Sequence, residues 1–167
     1  MELIPIIIYG IALLFIFCYS LIQIQLVVKY NRYKKLQKKR LGESTAVNFE
    51  PKVTIQLPLF NEKYVTERLI DCIAALDYPK DKLEIQVLDD STDETQEITK
   101  AKVKEIRKAG IDIVYLHRTD RAGYKAGALA EGTKVAKGEF IAIFDADFLP
   151  EKDFVKQMVQ PFTNEKV

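Results

Sequence analysis

The sequence predicts an α/β protein: a parallel sheet with flanking helices, preceded by one N-terminal transmembrane helix. Three observations carry that reading. Residues 3–28 contain no charged side chain. From Val53 onward, short β-rich runs alternate with stretches of helical spacing, joined by short connections. The last of those runs, Phe140 to Phe144, is entirely apolar, as in a central strand covered on both faces.

Composition narrows the function classes. The chain has 167 residues, with 25 Lys+Arg against 24 Asp+Glu and a net charge of +1. This excludes a strongly basic nucleic-acid binder. A hydrophobic content of 48% excludes wholesale disorder. Two cysteines, Cys18 and Cys72, cannot build a disulfide scaffold, and they read as free, buried thiols. His117 is the single histidine, so no multi-histidine metal centre exists.

Residues 1–28 are read as the transmembrane helix. The uncharged run from Leu3 to Val28 is 26 residues long. As a helix it measures roughly 39 Å, against a hydrocarbon core of ~30 Å. Residues 29–50 form a basic juxtamembrane segment and connector. Lys29, Arg32, Lys34, Lys35, Lys38, Lys39 and Arg40 follow the apolar run without an intervening acid. By the positive-inside rule this side is cytoplasmic, and the basic side chains suit anionic membrane lipids. A signal peptide would need a basic n-region and a small-residue cleavage site, and neither is present. A buried core helix is the other alternative. Residues 41–167 carry 18 basic and 23 acidic residues, a net near −5, which gives no electrostatic case for nucleic acid.

The remaining elements follow in order. Val53 to Leu57 is a first strand, ended by Pro58. Val65 to Leu76 has helical spacing and stops at Asp77-Tyr78-Pro79. Leu83 to Leu88 is a second strand, closed by Asp89-Asp90. Ser91-Thr92-Asp93-Glu94 has the spacing of a capping box, opening a helix that runs to Ala109 with Gly110 as its C′ residue. Ile111 to Leu116 is a third strand, Lys125 to Lys137 a third helix, Phe140 to Phe144 a fourth strand, and Glu151 to Phe162 a last helix after Pro150.

In such sheets ligands bind beyond the carboxyl ends of the strands. There stand Pro58, Asn61 and Glu62, then Asp89 and Asp90, then Arg118, Arg121 and Lys125, then Asp145 and Asp147. Asp145-Ala146-Asp147 is the sharpest feature. Two carboxylates one residue apart, just past an apolar strand, can reach one Mg²⁺ or Mn²⁺ and a ribose hydroxyl. The same pair also suits a solvated Asp-rich turn. Asp89-Asp90 fits either a helix N-cap or a nucleoside contact. Gly123-Tyr124-Lys125-Ala126-Gly127 fits either a phosphate site at a helix start or an ordinary helix start with a solvated lysine. Arg118 and Arg121 read as surface residues of a loop, with diphosphate contact as the lesser alternative, and His117 as a structural histidine rather than a catalytic one.

Taken in order, Leu57-Pro58-Leu59-Phe60-Asn61-Glu62, Leu76-Asp77-Tyr78-Pro79, Val87-Leu88-Asp89-Asp90-Ser91-Thr92-Asp93, Gly123 to Leu129 and Phe144-Asp145-Ala146-Asp147-Phe148 resemble the family 2 glycosyltransferases. In appearance they are nearest the membrane-bound cellulose-synthase-like enzymes, including the mannan and glucan synthase branch. The resemblance implies a GT-A (Rossmann-like) fold. It implies inverting transfer of a hexose from a nucleotide-diphospho sugar, of UDP-glucose or GDP-mannose type, to a polysaccharide or glycan acceptor. A lipid acceptor, polyprenyl phosphate or ceramide, is the alternative. The resemblance assigns the donor to Pro58, Asn61, Glu62, Asp89, Asp90, Lys125 and Asp145, and Mg²⁺ or Mn²⁺ to Asp147 and Asp145.

The family's general base and its acceptor-end Gln-x-x-Arg-Trp motif come later than the Asp-x-Asp strand, and this chain contains no Trp. The expectation is therefore that 51–167 is the nucleotide-sugar-binding half of a GT-A domain. The base then lies outside this chain, which alone is inactive. Two readings from other classes remain. A sugar-nucleotide nucleotidyltransferase would carry a Gly-rich loop after its first strand, where Pro58 to Glu62 contains no glycine. A non-catalytic nucleotide-binding membrane module would bind without transfer.

Overall fold

The structure, a computed structural model, describes residues 3–43 and 49–163. It divides into two compact units, 1–47 and 48–167. The first unit is one helix, α1 (Leu3–Glu43), of 41 residues, which carries the apolar run straight into the basic one. No side chain from 3 to 36 is buried by the described residues. Its stretch Leu3–Leu36 is long and apolar enough to cross a membrane. The Ser20 hydroxyl donates to the Ile16 carbonyl at 2.9 Å, which satisfies it within the helix. Residues 44–48 of the connector lie outside the described residues.

The second unit holds β1 (Val53–Leu59), α2 (Thr66–Ala74), β2 (Leu83–Asp89), α3 (Thr95–Lys108), β3 (Asp112–His117), α4 (Tyr124–Lys134), β4 (Phe140–Ile143) and α5 (Phe154–Val159). The four strands pair in parallel in the order β3-β2-β1-β4. This is the expected parallel sheet with flanking helices. Gly110, at φ 83°, ends α3 as the sequence predicts.

Four local expectations are overturned. β1 does not stop at Pro58 but runs through it to Leu59, paired with β2. Gln56 turns its carbonyl toward β4, accepting from the Phe144 N–H at 3.1 Å, and Pro58 lies two residues on. Pairing with β4 ends at Gln56, so the N–H that proline lacks has no ladder bond to make. The capping box does not form: α3 starts at Thr95, and Ser91 bonds elsewhere. Among the described residues β4 stands last in the strand order, with Ile141 41% and Ile143 49% exposed. An apolar run calls for cover but does not choose a neighbour. The thiols are free but not buried: Cys18 is exposed and Cys72 half-buried, donating to the Pro150 carbonyl at 3.4 Å. The last helix is also shorter than expected, because Gln160–Thr163 tightens into a 3₁₀ turn.

The period of two along the strands gives the sheet unlike faces. Val53, Ile55, Leu57, Ile85, Val87 and Ile113 join Leu69, Ile70 and Ile73 of α2 and Val103 and Ile106 of α3 in one apolar core. The alternate positions Thr54, Gln56, Glu84 and Gln86 are just as buried but polar. There the Thr54 hydroxyl donates to Glu84 Oε2 at 2.6 Å, the Lys137 N–H to the same oxygen at 2.8 Å, and Gln56 Nε2 to Gln86 Oε1 at 3.0 Å. α4 lies against this face. A Cβ on Gly132 would meet Gln56 Nε2 at 2.7 Å and Gln86 Oε1 at 2.9 Å, so its absence permits the close approach.

Candidate functional site

The carboxyl ends of β1, β2 and β4 and the loop between β3 and α4 converge on one cleft of about 400 Å³. Of the sequence-predicted residues, Pro58, Glu62, Asp90, Lys125, Asp145 and Asp147 line it. Asn61 and Asp89 do not; they hold the loops behind it. Phe60 and Arg121 line it as well.

Asn61 adopts a left-handed φ of 56°, which Asn tolerates better than most residues. Its N–H donates to Ser91 Oγ at 2.8 Å, and its Oδ1 accepts from the Thr92 N–H at 2.9 Å. Those bonds tie the loop after β1 to the loop after β2, and they occupy the serine that the capping box would have used. Asp89 is fully buried. Its Oδ1 accepts from the Ser91 N–H at 2.9 Å and its Oδ2 from the Tyr115 hydroxyl at 2.7 Å. Burial, then the bond to Asp89, pushes the Tyr115 hydroxyl well above its usual pKa. His117 stacks beside Tyr115, and its Nδ1 lies 2.8 Å from the Asp89 carbonyl, a structural placement.

Asp90 faces the cleft in a bidentate pair. Arg118 Nε donates to Oδ1 at 2.8 Å and Nη2 to Oδ2 at 2.5 Å, with the two side chains only 15% and 4% exposed. The bond to Asp90 raises the Arg118 pKa further above its already high value. Arg118 also donates to the carbonyls of Ala122 at 3.1 Å and Tyr124 at 2.9 Å. Its reading as a surface residue is thus overturned. The Arg118 N–H continues the β2 ladder onto the Asp89 carbonyl at 3.2 Å, which lands the side chain beside Asp90. Spacing along the chain does not show that register.

The loop then turns sharply into α4. Gly123 has φ 72° and Tyr124 φ 50°. A Cβ on Gly127 would lie 1.9 Å from the Ala122 carbonyl oxygen, so only glycine lets the loop close there. The turn delivers Lys125 to the cleft, where its ammonium pairs with Asp145. Arg121 is half-buried, with its guanidinium carbon 3.3 Å from the Phe60 ring centroid and 5.3 Å from that of Tyr124. The sequence offered two arginines in one loop, and charge alone does not say which turns toward the ligand edge.

Asp145 and Asp147 are both exposed on a turn closed by the Phe148 N–H donating to the Asp145 carbonyl at 3.0 Å. Buried Phe144 anchors that turn, stacking on Phe148 at 5.5 Å and meeting Phe154 edge-on at 5.5 Å. Among the described residues no group of three or more His, Cys, Asp or Glu could hold a metal. Two carboxylates do fit Mg²⁺ or Mn²⁺ where a ligand's phosphate oxygens complete the shell, since such ions commonly take one or two carboxylates.

Known proteins resemble this chain in sequence and in fold. Residues 54–167 match the family described as Glycosyl transferase family 2. Glucomannan 4-beta-mannosyltransferase 1 of Oryza sativa subsp. japonica is 45% identical over 116 residues, covering 67% of this chain and 22% of that protein. Glucomannan 4-beta-mannosyltransferase 2 of Arabidopsis thaliana is 46% identical over 126 residues, covering 73% and 23%. The chain thus spans about a fifth of the length of these relatives. Among solved structures, mannosyltransferase PcManGT from Pyrobaculum calidifontis, in complex with GDP-Man and Mn²⁺, superimposes with a TM-score of 0.63 at 31% identity, covering 79% of this chain and 39% of that one. S. aureus TarS 1-349 in complex with UDP-GlcNAc gives a TM-score of 0.51 at 26% identity, covering 65% and 30%. From its motifs, its parallel sheet and these likenesses, the chain belongs to glycosyltransferase family 2 and carries that family's GT-A architecture.

Proposed function

We propose that this protein is the membrane-anchored donor-binding part of an inverting mannosyltransferase that takes GDP-mannose and extends a β-linked glycan. The observation that carries the donor site is the cleft that Asp90, Lys125, Asp145 and Asp147 line together. The choice of GDP-mannose over UDP-glucose rests on the names of the mannosyltransferase relatives and on the GDP-Man complex of the archaeal neighbour. A glycan acceptor, rather than a lipid, follows the same relatives.

In this reading Pro58, Glu62 and Asp90 face the nucleoside. A carboxylate has about four acceptor positions, so Asp90 can take a base N–H or ribose hydroxyl while Arg118 holds it still. Asn61 and Asp89 act from behind, by holding the two strand-end loops in register. Lys125 stands at the diphosphate end. Asp147, with Asp145, would hold Mg²⁺ or Mn²⁺; a cation there supplies charge neutralisation on the departing diphosphate. The attacking hydroxyl needs a general base. The family pattern puts that carboxylate after the Asp145–Asp147 turn. Residues 1–28 span the membrane, 29–50 lie at the cytoplasmic headgroups, and 51–167 bind the nucleotide sugar in the cytosol.

Calorimetric titration of the full chain in detergent with GDP and UDP, in Mn²⁺ and in EDTA, tests this. GDP binding should depend on the metal and exceed UDP binding. Asp147→Ala should weaken GDP at least about tenfold, or ~1.4 kcal/mol. GDP binding that ignores both the chelator and the substitution would remove the metal assignment.

A further inference from the structure

The cleft's cations are not equivalent. Arg118 is committed to Asp90, and Lys125 to Asp145. Arg121 also lines the cleft, and among the described residues it makes no ion pair. Its Nε is buried and has no hydrogen-bond partner. An orphaned, charged donor at a cleft wall is costly unless something completes it.

Its geometry is fixed in advance. The guanidinium lies against Phe60, which sets its plane, with Tyr124 on its other neighbour position in the loop. Stacking uses the face of a guanidinium and leaves the N–H donors along its edge free. The bonds from Arg118 to the carbonyls of Ala122 and Tyr124 pin the backbone just after Arg121. Little side-chain or loop entropy remains to be lost on binding. A planar fork of donors without a carboxylate, close to Lys125 and to the Asp145–Asp147 turn, suits a phosphate group.

We infer that Arg121, stacked on Phe60, binds a phosphate oxygen of the nucleotide-sugar donor, as a second diphosphate cation of the cleft beside Lys125. The inference rests on the donor-site reading above and adds a residue which that reading leaves out.

The test separates phosphate from nucleoside. The full 167-residue chain in detergent, at constant Mn²⁺, is titrated with guanosine, GMP and GDP, and with the uracil series in parallel. Arg121→Ala should raise the GDP Kd at least about tenfold, the size expected for one charge-assisted hydrogen bond, and leave guanosine within about twofold. Arg121→Gln, which keeps much of the stacking volume and loses the charge, should behave alike and stands in if the alanine variant does not fold. Arg121→Lys should fall between, since it keeps the charge without the planar fork. Phe60→Leu should weaken GDP a few-fold and spare guanosine. An unchanged GDP Kd in Arg121→Ala and Arg121→Gln overturns the inference. So does an equal loss for guanosine and GDP, which would mean base contact or loop packing. Wild-type protein that binds neither nucleotide overturns the donor-site reading itself, and is thereby distinguished from failure of the Arg121 assignment alone.

Discussion

The two faces of the sheet hold their helices by different means. Under α2 and α3 the contacts are aliphatic, from Ile55, Leu57, Ile85 and Val87 to Leu69, Ile70 and Ile73. One residue away on the same strands, Thr54, Gln56, Glu84 and Gln86 meet α4 and the segment after it with hydroxyl, amide and carboxylate groups. Apolar contact is non-directional, so its strength tracks the area covered and tolerates small shifts. A buried hydrogen bond fails when its partner moves by an ångström, so a polar face admits few seats. α4 is the helix that starts with Tyr124-Lys125, just after the loop that carries Arg118 and Arg121. The comparison teaches that the apolar face supplies most of the stability, while the polar face sets where the cleft's cations stand.

That division can be broken experimentally. Ile55→Ala, at a fully buried position of the apolar face, should cost about 4 kcal/mol in an unfolding titration followed by circular dichroism. The folded fraction should bind GDP as before. Gly132→Ala should cost less, about 2 kcal/mol, because its Cβ pushes on Gln56, Gln86 and Leu88. It should nevertheless weaken GDP several-fold by lifting α4. If Ile55→Ala changes nucleotide affinity and Gly132→Ala does not, the division of labour between the faces is wrong.

The smallest effect sharpens the apolar side. Tyr78 is buried at its rim and donates to the Pro51 carbonyl at 2.6 Å. Burial pushes its hydroxyl up from 10.0 to about 12. The unfolded chain therefore releases this proton near pH 10 while the folded chain keeps it until about pH 12. The folded state binds more protons in that window, so this contribution is complete below pH 10 and is lost as pH rises through the window. Tyr78→Phe should remove about 1 kcal/mol at neutral pH and flatten this alkaline loss, as read from melting curves against pH.

Much of this architecture is legible in the sequence alone. Alternating periods located all four strands, Gly110 marked the end of α3, and the uncharged run marked α1. Asp145 and Asp147 were legible as ligand-edge residues because they follow an apolar strand, and the topology rule says where strands of a parallel sheet end. What was not legible depended on pairing. Pro58 sits inside β1 because the strand beside it has already ended. The order β3-β2-β1-β4 among the described strands is not written in any single one of them. Ser91 serves Asn61 rather than α3 because two loops meet across the sheet.

The residues of one chain, read in order, were enough for the class, the family and the list of charged groups at the ligand edge. Those follow from local periodicity and from motifs whose members lie close in sequence. Only the tertiary structure decided which of those charges are spent on one another. Asp90 is matched by Arg118, 28 positions away, and Lys125 by Asp145, 20 positions away. Asp89 is enclosed by Ser91 and Tyr115, and Arg121 is left with an aromatic neighbour and no carboxylate. The reason is the range of the interactions: hydrogen bonds and ion pairs act over a few ångströms, and which side chains come that close is set by strand register and loop closure.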